Sequence, residues 1–492
     1  PDDFGLDDLP ALCRLVNWAG ILGSRVLLST ATMPPAMAYA LFEAYQTGRK
    51  DFTAVNGEPE KSGKVCCAWF DEFTTENAIF NNETEFKIQH TQFVDKRIIN
   101  LTKEKQVVCK ATLLPVSCAS SDEALSVMST TIQASIHQLH QQHHQTQEQG
   151  KTVSIGLVRM ANINPLVAVA KELFSQASQE NYRLHYCVYH SQYPLAVRSY
   201  IEQRLDATLT RHNENDIWIQ SEIKQALESH PEQHHVFIVL ATSVAEVGRD
   251  HDYDWVVAEP SSMRSLIQLA GRIQRHRKKQ PKTENLLILS KNFKALKNES
   301  PAYNKPGFET ESRLLAHHDL TKILKSEHYQ AINATPRIQK PQTPEISEGK
   351  YKDFVQLEQY ALYQKLLGVM NEKDNAKHWW AENVTWCAEL QRRQPFRQSA
   401  PDAAYCFYYE EEYERLYWAA IDNNSNPASY LETAVINYQS LVINKGNQAW
   451  LNLDTELIYS NLAENLNLTN QQTSKKFGEL RLRENKEKEI EW

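Results

Sequence analysis

At 492 residues the chain is well above the roughly 100 to 200 residues of one domain, so about three domains are expected and a lone small binding module is excluded. Lys and Arg total 53 against 61 Asp and Glu, a net charge of −8, with 41% hydrophobic and 23% charged residues, which fits a soluble globular protein and not a disordered one. The longest apolar run, Val236 to Ala241, is far short of the roughly 20 residues of a bilayer span, no signal-peptide pattern opens the chain, and eight cysteines never form CxxC. No membrane partner and a reducing, cytoplasmic location are therefore expected.

Arg25 to Ser29 reads as a buried parallel strand ending in Thr30-Ala31-Thr32, and a helix is expected from near Pro35. Two β-rich runs, Lys64 to Phe70 and Gln106 to Leu114, flank a polar stretch that reads as a linker or insertion. Asp122 to Gln149 predicts a long helix, with His137, His140, His143 and His144 on a solvated face and no metal site. From Val153 onward strands and helices alternate. Strands are expected at Val153 to Val158, Leu184 to Tyr189, His235 to Leu240, Asp254 to Glu259 and Asn285 to Ser290; helices at Asn164 (cap), Pro194 to Leu209, a polar insert Asn215 to Ser229, and Ser262 to Arg277. This alternation predicts an α/β fold, a parallel sheet with helices on both faces. Tyr351 to Met370, Ala376 to Arg393 and Tyr405 to Ala420 read as aromatic-rich helices, and Lys475 to Trp492 as a charged tail. An α-rich C-terminal accessory domain is expected. Trp379, Trp380 and the Tyr405 to Trp418 aromatics are read as core before base-stacking groups.

The sharpest chemical signal is Gln268-Leu269-Ala270-Gly271-Arg272-Ile273-Gln274-Arg275, a QxxGRxxR pattern. On one helix Gln268, Arg272 and Arg275 would share a face, and two guanidiniums with an amide suit a phosphate whose charge grows in a transition state. The pattern resembles motif VI of superfamily 2 helicases, whose arginines complete the ATP site from the second RecA-like lobe. Leu240 to Asp250 resembles motif V, with Thr242 and Ser243 toward a nucleic-acid phosphate and Gly248 and Asp250 toward the nucleotide or the motif VI arginines. Thr30-Ala31-Thr32 resembles motif III, Thr30 standing where the family has Ser, and implies a coupling role for Thr30 and Thr32. Val153 to Arg159 resembles motif IV, and His190-Ser191, with Arg198 and Glu202, the element after it. The resemblance implies DNA contacts from Arg159, His190, Ser191, Thr242 and Ser243, with Thr242 and His190 exposed enough for alanine to loosen DNA at little cost in stability.

No GxxxxGK(S/T) P-loop is present. Gly150-Lys151-Thr152 has Gln145 where the first Gly belongs and precedes a strand. Were Asp-Glu to precede Pro1, Asp2 would close a D-E-P-D box, so the chain is expected to start inside motif II. Asp3-Phe4, Leu9 to Leu12, Val16 to Ser29 and the Gln268 to Arg277 segment look like the helicase-nuclease of type I CRISPR interference, most like subtype I-F. That resemblance assigns 1–50 to the end of a first RecA-like lobe, 51–150 to a linker module and long helix, 151–300 to the second lobe and 301–492 to the accessory domain. It implies an ATP- and Mg²⁺-dependent enzyme that degrades single-stranded DNA through a metal-dependent HD nuclease domain. The implied partners are single-stranded DNA, a guide-RNA surveillance complex, spacer-acquisition proteins and anti-CRISPR proteins. His318-Asp319 and His251-Asp252 are read as chance HD dipeptides. Without P-loop and HD motifs this chain alone is expected to be inactive. Arg272 to Lys282 carries six cations and no acid, a local track for DNA. The alternatives are a superfamily 2 helicase of another pathway, or a non-catalytic nucleic-acid- or partner-binding module.

Overall fold

The computed structural model describes residues 4–57, 62–103, 107–246, 248–368, 375–381, 402–422, 425, 427–433, 440–484 and 490–491. The chain forms two compact units, one of 1–107, 261–267 and 298–398, the other of 108–260, 268–297 and 399–492.

In the second unit the predicted alternation becomes a sheet of eight strands. Its parallel order is Asn447–Ala449, Tyr182–Tyr189, His234–Ala241, Thr152–Arg159, Trp255–Ala258, Leu286–Leu289 and Ala111–Leu114, with Gln145–Thr146 antiparallel beside Thr152–Arg159. The strands run continuously apolar because both faces are covered. On one face Leu184, Val236, Ile238, Leu240, Trp255 and Val257 pack with Met128, Ile132 and Ile136 of the Ala124–His143 helix and Leu166, Val169 and Leu173 of the Ile163–Ser175 helix. The alternate residues Ile155, Leu157, Phe237, Val239 and Val256 are also fully buried. Gly156 leaves room for the Trp255 ring, which a Cβ there would meet at 2.2 Å. Because the chain steps from Thr152–Arg159 outward to Tyr182–Tyr189 and later to the other side at Trp255–Ala258, the carboxyl ends of the central strands form the crevice where α/β folds bind ligands. The Arg159, His190 and Thr242 turns lie there.

Several expectations are corrected. Arg25 to Ser29 is irregular, with Leu27 87% exposed, since no described strand pairs with it and an isolated strand cannot satisfy its backbone. The polar stretch after Phe70 is a second hairpin strand, Thr75–Phe80, followed by the Glu83–Lys103 helix. The Ile163–Ser175 helix is preceded by Asn162, not Asn164. His137 and His140 are not solvated: they are 3% and 0% exposed, and the His140 ring hydrogen-bonds Ser154 (2.8 Å) and Thr152 (3.0 Å). The reading of Ser262 to Arg277 as one helix also fails. The helix is Met263–Ala270, and Ile273 then bridges Tyr253, with backbone bonds Tyr253 N–H to Arg272 O and Gln274 N–H to Tyr253 O.

The expected α-rich C-terminal region contains a five-stranded antiparallel sheet. Tyr405 to Ala420 is not helical but the core of a hairpin, Asp402–Glu410 with Arg415–Asp422, its turn passing through Glu414 at φ 47°. Cross-strand pairs Phe407 with Trp418, Tyr408 with Tyr417 and Glu410 with Arg415 show why aromatics favoured a pleated surface over a helix. Part of the charged tail forms the neighbouring strand Glu479–Glu484.

In the first unit the helices Leu9–Ile21 and Pro35–Val55 share a core with the Phe354–Leu367 helix through Leu9, Cys13, Ala40, Leu41, Ala361 and Leu366. Trp379 and Trp380 belong to it, 7% and 5% exposed. The predicted helix Ala376 to Arg393 is described only to Ala381, where His378–Ala381 is helical. The remainder lies outside the described residues.

Candidate nucleotide and nucleic-acid site

The loop that leaves His234–Ala241 carries most of the site in the second unit. Thr242 is extended and 5% exposed, Ser243 is exposed, and Ser243–Ala245 makes one 3-10 turn. Gly248 adopts φ 72°, a left-handed conformation for which no side-chain clash is responsible, so glycine is there for the backbone turn. That turn delivers Asp250, whose carboxylate meets Arg275 Nε at 2.7 Å and lies 3.1 Å from His276 Nε2. The pair is half-open to solvent, at 52% for Asp250 and 40% for Arg275.

Arg272 sits deeper, 7% exposed, with Nη2 donating to Glu246 O at 2.8 Å. Its Nη1 is buried with no hydrogen-bond partner. Burial, and then the neighbouring Arg275 guanidinium, lower its proton affinity. An unpaired buried N–H of a cation is costly and is the position an anionic oxygen would satisfy. Gln268 is in the last turn of the Met263–Ala270 helix and partly exposed. The three motif residues are thus set by a helix end and a bridge to Tyr253, not by one helical face.

Alternating acids, Asp250, Asp252 and Asp254, face alternating arginines, Arg275 and Arg277. Arg277 pairs with Asp252 (2.5 Å) and Asp254 (2.7 Å), and Arg211 with Asp254 (3.1 Å). Burial pushes the Asp254 carboxyl up, but Arg211 and Arg277 outweigh it and hold it at about 2. Sequence reasoning passed over this network, although the D-x-D-x-D and R-x-R alternation was its visible trace. It also neutralises much of the expected basic track: Arg275 and Arg277 are paired, and Lys279 meets Glu214 at 2.8 Å.

Other predicted site residues are placed differently from expectation. Arg159 is 0% exposed, its Nε on Glu246 (2.5 Å) and its Nη1 on Glu259 O (2.9 Å), so it is a strut beneath the loop and presents nothing to DNA. Arg159→Ala is expected to cost about 3–5 kcal/mol, the scale of breaking one buried ion pair, read as a lower thermal midpoint; an unchanged midpoint with weakened DNA binding would reverse this assignment. His190 is 4% exposed, stacks on Tyr193 at 4.5 Å and accepts from Gln192 N–H through Nδ1, and burial pushes it down to about 4. With Thr242 also buried, neither alanine substitution is the stability-neutral probe anticipated. Ser191 and Ser243 are the exposed hydroxyls. Thr30 and Thr32 belong to the other unit, where Thr32 is fully buried and its N–H bonds Thr30 Oγ1 at 3.1 Å. Asp2 lies outside the described residues.

Gly150 turns at φ 87°, and Lys151 Nζ donates to the Leu227 and His230 carbonyls. His318 is bound to Glu309 (2.7 Å), and His251 to Asp206 (2.8 Å) and the Tyr253 hydroxyl (3.0 Å). Among the described residues no group of three His, Cys, Asp or Glu is arranged to hold a metal, and no helix is long and apolar enough to cross a membrane.

Residues 152–278 match the family model described as CRISPR-associated nuclease/helicase Cas3, C-terminal. Two curated relatives are both named CRISPR-associated nuclease/helicase Cas3 subtype I-F/YPEST. The one from Pectobacterium atrosepticum is 47% identical and the one from Pseudomonas aeruginosa 39%, each over 98% of this chain. The chain spans 44% and 45% of their lengths. Among solved structures, T. fusca Cas3-ADP aligns with 80% of this chain and 36% of its own, at 16% identity and a TM-score of 0.39. At 47% and 39% identity over 98% of its length, the chain is similar to part of proteins named CRISPR-associated nuclease/helicase Cas3 of subtype I-F, and the family model places residues 152–278 with that family's C-terminal region.

Proposed function

We propose that this chain is the second-lobe and C-terminal portion of an ATP-dependent single-stranded DNA translocase and nuclease that degrades target DNA in CRISPR interference in the cytoplasm. The observation that carries the reading is the Asp250–Arg275 pair beside the buried, unpartnered Nη1 of Arg272. These groups fit a phosphate: one guanidinium is held open by a carboxylate, and another has an unmet donor. ATP supplies a γ-phosphoryl group whose charge rises during transfer. The protein's part is to place Arg275 as the finger, steady it through Asp250, and offer Arg272 as its partner, with Gly248 setting the loop and Gln268 at the helix end. Thr30 and Thr32 couple this chemistry to DNA. Ser191 and Ser243 are the direct phosphate contacts, and Thr242 shapes the loop that carries Ser243.

Mg²⁺ with ATP, and the nuclease metal of an HD domain, are assigned to parts of the enzyme outside this chain. The partners that follow from the family reading are single-stranded DNA, the guide-RNA surveillance complex that presents it, spacer-acquisition proteins and, as inhibitors, anti-CRISPR proteins. The test is ATP turnover by the full-length enzyme with and without single-stranded DNA at several salt concentrations. Turnover should rise with DNA of any sequence and lose that stimulation as salt increases, because phosphate contacts release counterions. Turnover indifferent to DNA would sink the proposal, and equal stimulation by RNA would favour a superfamily 2 helicase of another pathway.

A further inference from the structure

Two consecutive side chains of the Gly248 turn make contacts with different parts of the second unit. Asp250 holds Arg275, as described. Its neighbour Arg249 binds the Leu195–Leu209 helix, with Nη2 on Glu202 Oε2 at 2.5 Å and Nη1 on Asp206 Oδ2 at 2.9 Å. Glu202 and Asp206 are four residues apart and so lie on one helical face, matched to the two arms of a guanidinium. Asp206 also takes His251 at 2.8 Å, and Glu202 also accepts from the Tyr189 hydroxyl at 2.8 Å. Tyr189 ends the strand that runs directly into His190-Ser191, and the helix begins four residues after Ser191.

The contacts therefore form a continuous series. The 190–194 turn leads into the helix, the helix carboxylates grip Arg249, and the next residue, Asp250, grips the proposed finger. Gly248 precedes this pair at φ 72° with open space around its α-carbon, so the turn has the one residue type that re-sets its backbone without a steric penalty.

We propose that Arg249 is a positioning residue that couples single-stranded DNA at the 190–191 turn to the Asp250–Arg275 pair. This rests on the function proposed above. DNA contact at the turn shifts the helix, the forked ion pair carries the shift to Arg249, and a single peptide unit passes it to Asp250.

In the full-length enzyme, Arg249→Gln should leave DNA-independent ATP turnover and DNA affinity near their unmodified values. Stimulation by single-stranded DNA should fall by about tenfold, within the range of ordinary coupling between sites. Arg249→Lys should be as defective, since an ammonium cannot fork across two carboxylates. The double variant Glu202→Gln with Asp206→Asn should reproduce the defect from the helix side. Retained stimulation in Arg249→Gln overturns the proposal. A joint fall of basal turnover, stimulation and thermal midpoint overturns it as well, in favour of a purely structural role. If Arg249→Gln does not fold, Arg249→Lys and the helix-side variant decide by the same criteria. Failure of the functional reading is separately visible, as an unmodified enzyme that shows no DNA stimulation at all.

Discussion

Arg275→Ala in the full-length enzyme is expected to lower ATP turnover by roughly 10³-fold or more, the scale on which arginine fingers act, while ATP binding falls far less. The reason lies in when the interaction is made: a guanidinium aimed at a γ-phosphate meets its full charge only in the transition state, so its loss appears in turnover and not in binding. Arg275→Lys should be nearly as damaging, because the Nε contact to Asp250 orients a planar fork that lysine lacks. The 40% exposure of Arg275 makes the experiment clean, since truncation of so open a side chain leaves the fold alone. Arg272, 7% exposed and bound to Glu246 O, offers no such separation, and Arg272→Ala mixes lost chemistry with lost stability. Degradation of free single strands by the nuclease should survive in Arg275→Ala while ATP-driven degradation stops. Near-normal turnover in Arg275→Ala would move the finger to Arg272. Near-normal turnover in both single variants would remove the phosphate-site reading of the whole segment.

The parallel lobe was legible in the sequence because its strands are buried on both faces, which leaves a continuous apolar run that few other environments tolerate. Elements with one exposed face were harder to read. Thr75–Phe80 alternates exposed and half-buried positions with polar residues, and it passed for a linker. Tyr405 to Ala420 is dense in aromatics, which suit a helix core and a pleated sheet equally well by hydropathy; the decision came from cross-strand pairing within the run, on either side of the acidic turn Glu411 to Glu414, a hairpin signal that the aromatic density masked. The site followed the same division. The resemblance to motif V left Asp250 facing either the nucleotide or the motif VI arginines, and the structure pairs it with Arg275, whereas the burial of Arg159 and His190 depended on Glu246 and Tyr193, whose positions are set by the fold. The end of the motif helix at Ala270 likewise depends on Tyr253, which bridges Ile273 from twenty positions upstream.

The second unit is also expected to lose stability steeply between pH 6.5 and about 4. Burial pushes His137, His190, His235 and His251 down to about 4 and holds His140 and His185 well below their ordinary value. These imidazoles are neutral in the fold, so below about pH 6.5 the unfolded chain binds protons that the folded one does not, and stability drops as pH falls through that window. By pH 5 each of the four at about 4 contributes a loss on the order of 2 kcal/mol, and together they rival the roughly 5–15 kcal/mol that stabilises a typical domain. The buried Glu259 carboxyl, raised by its burial, works the other way, but it is one group against six. Asp254, held at about 2, keeps its charge and its two arginine partners throughout. Hydrogen exchange of the Tyr182–Tyr189 and His234–Ala241 amides, corrected for intrinsic rates, should show protection falling from pH 7.5 to 5. His235→Gln should flatten that fall, since it removes one titrating ring of the His185–His235 pair, whose nitrogens are 3.1 Å apart. Protection in these two strands that stays constant from pH 7.5 to 5 would mean that the buried imidazoles are already charged in the fold, with partners other than those found around them.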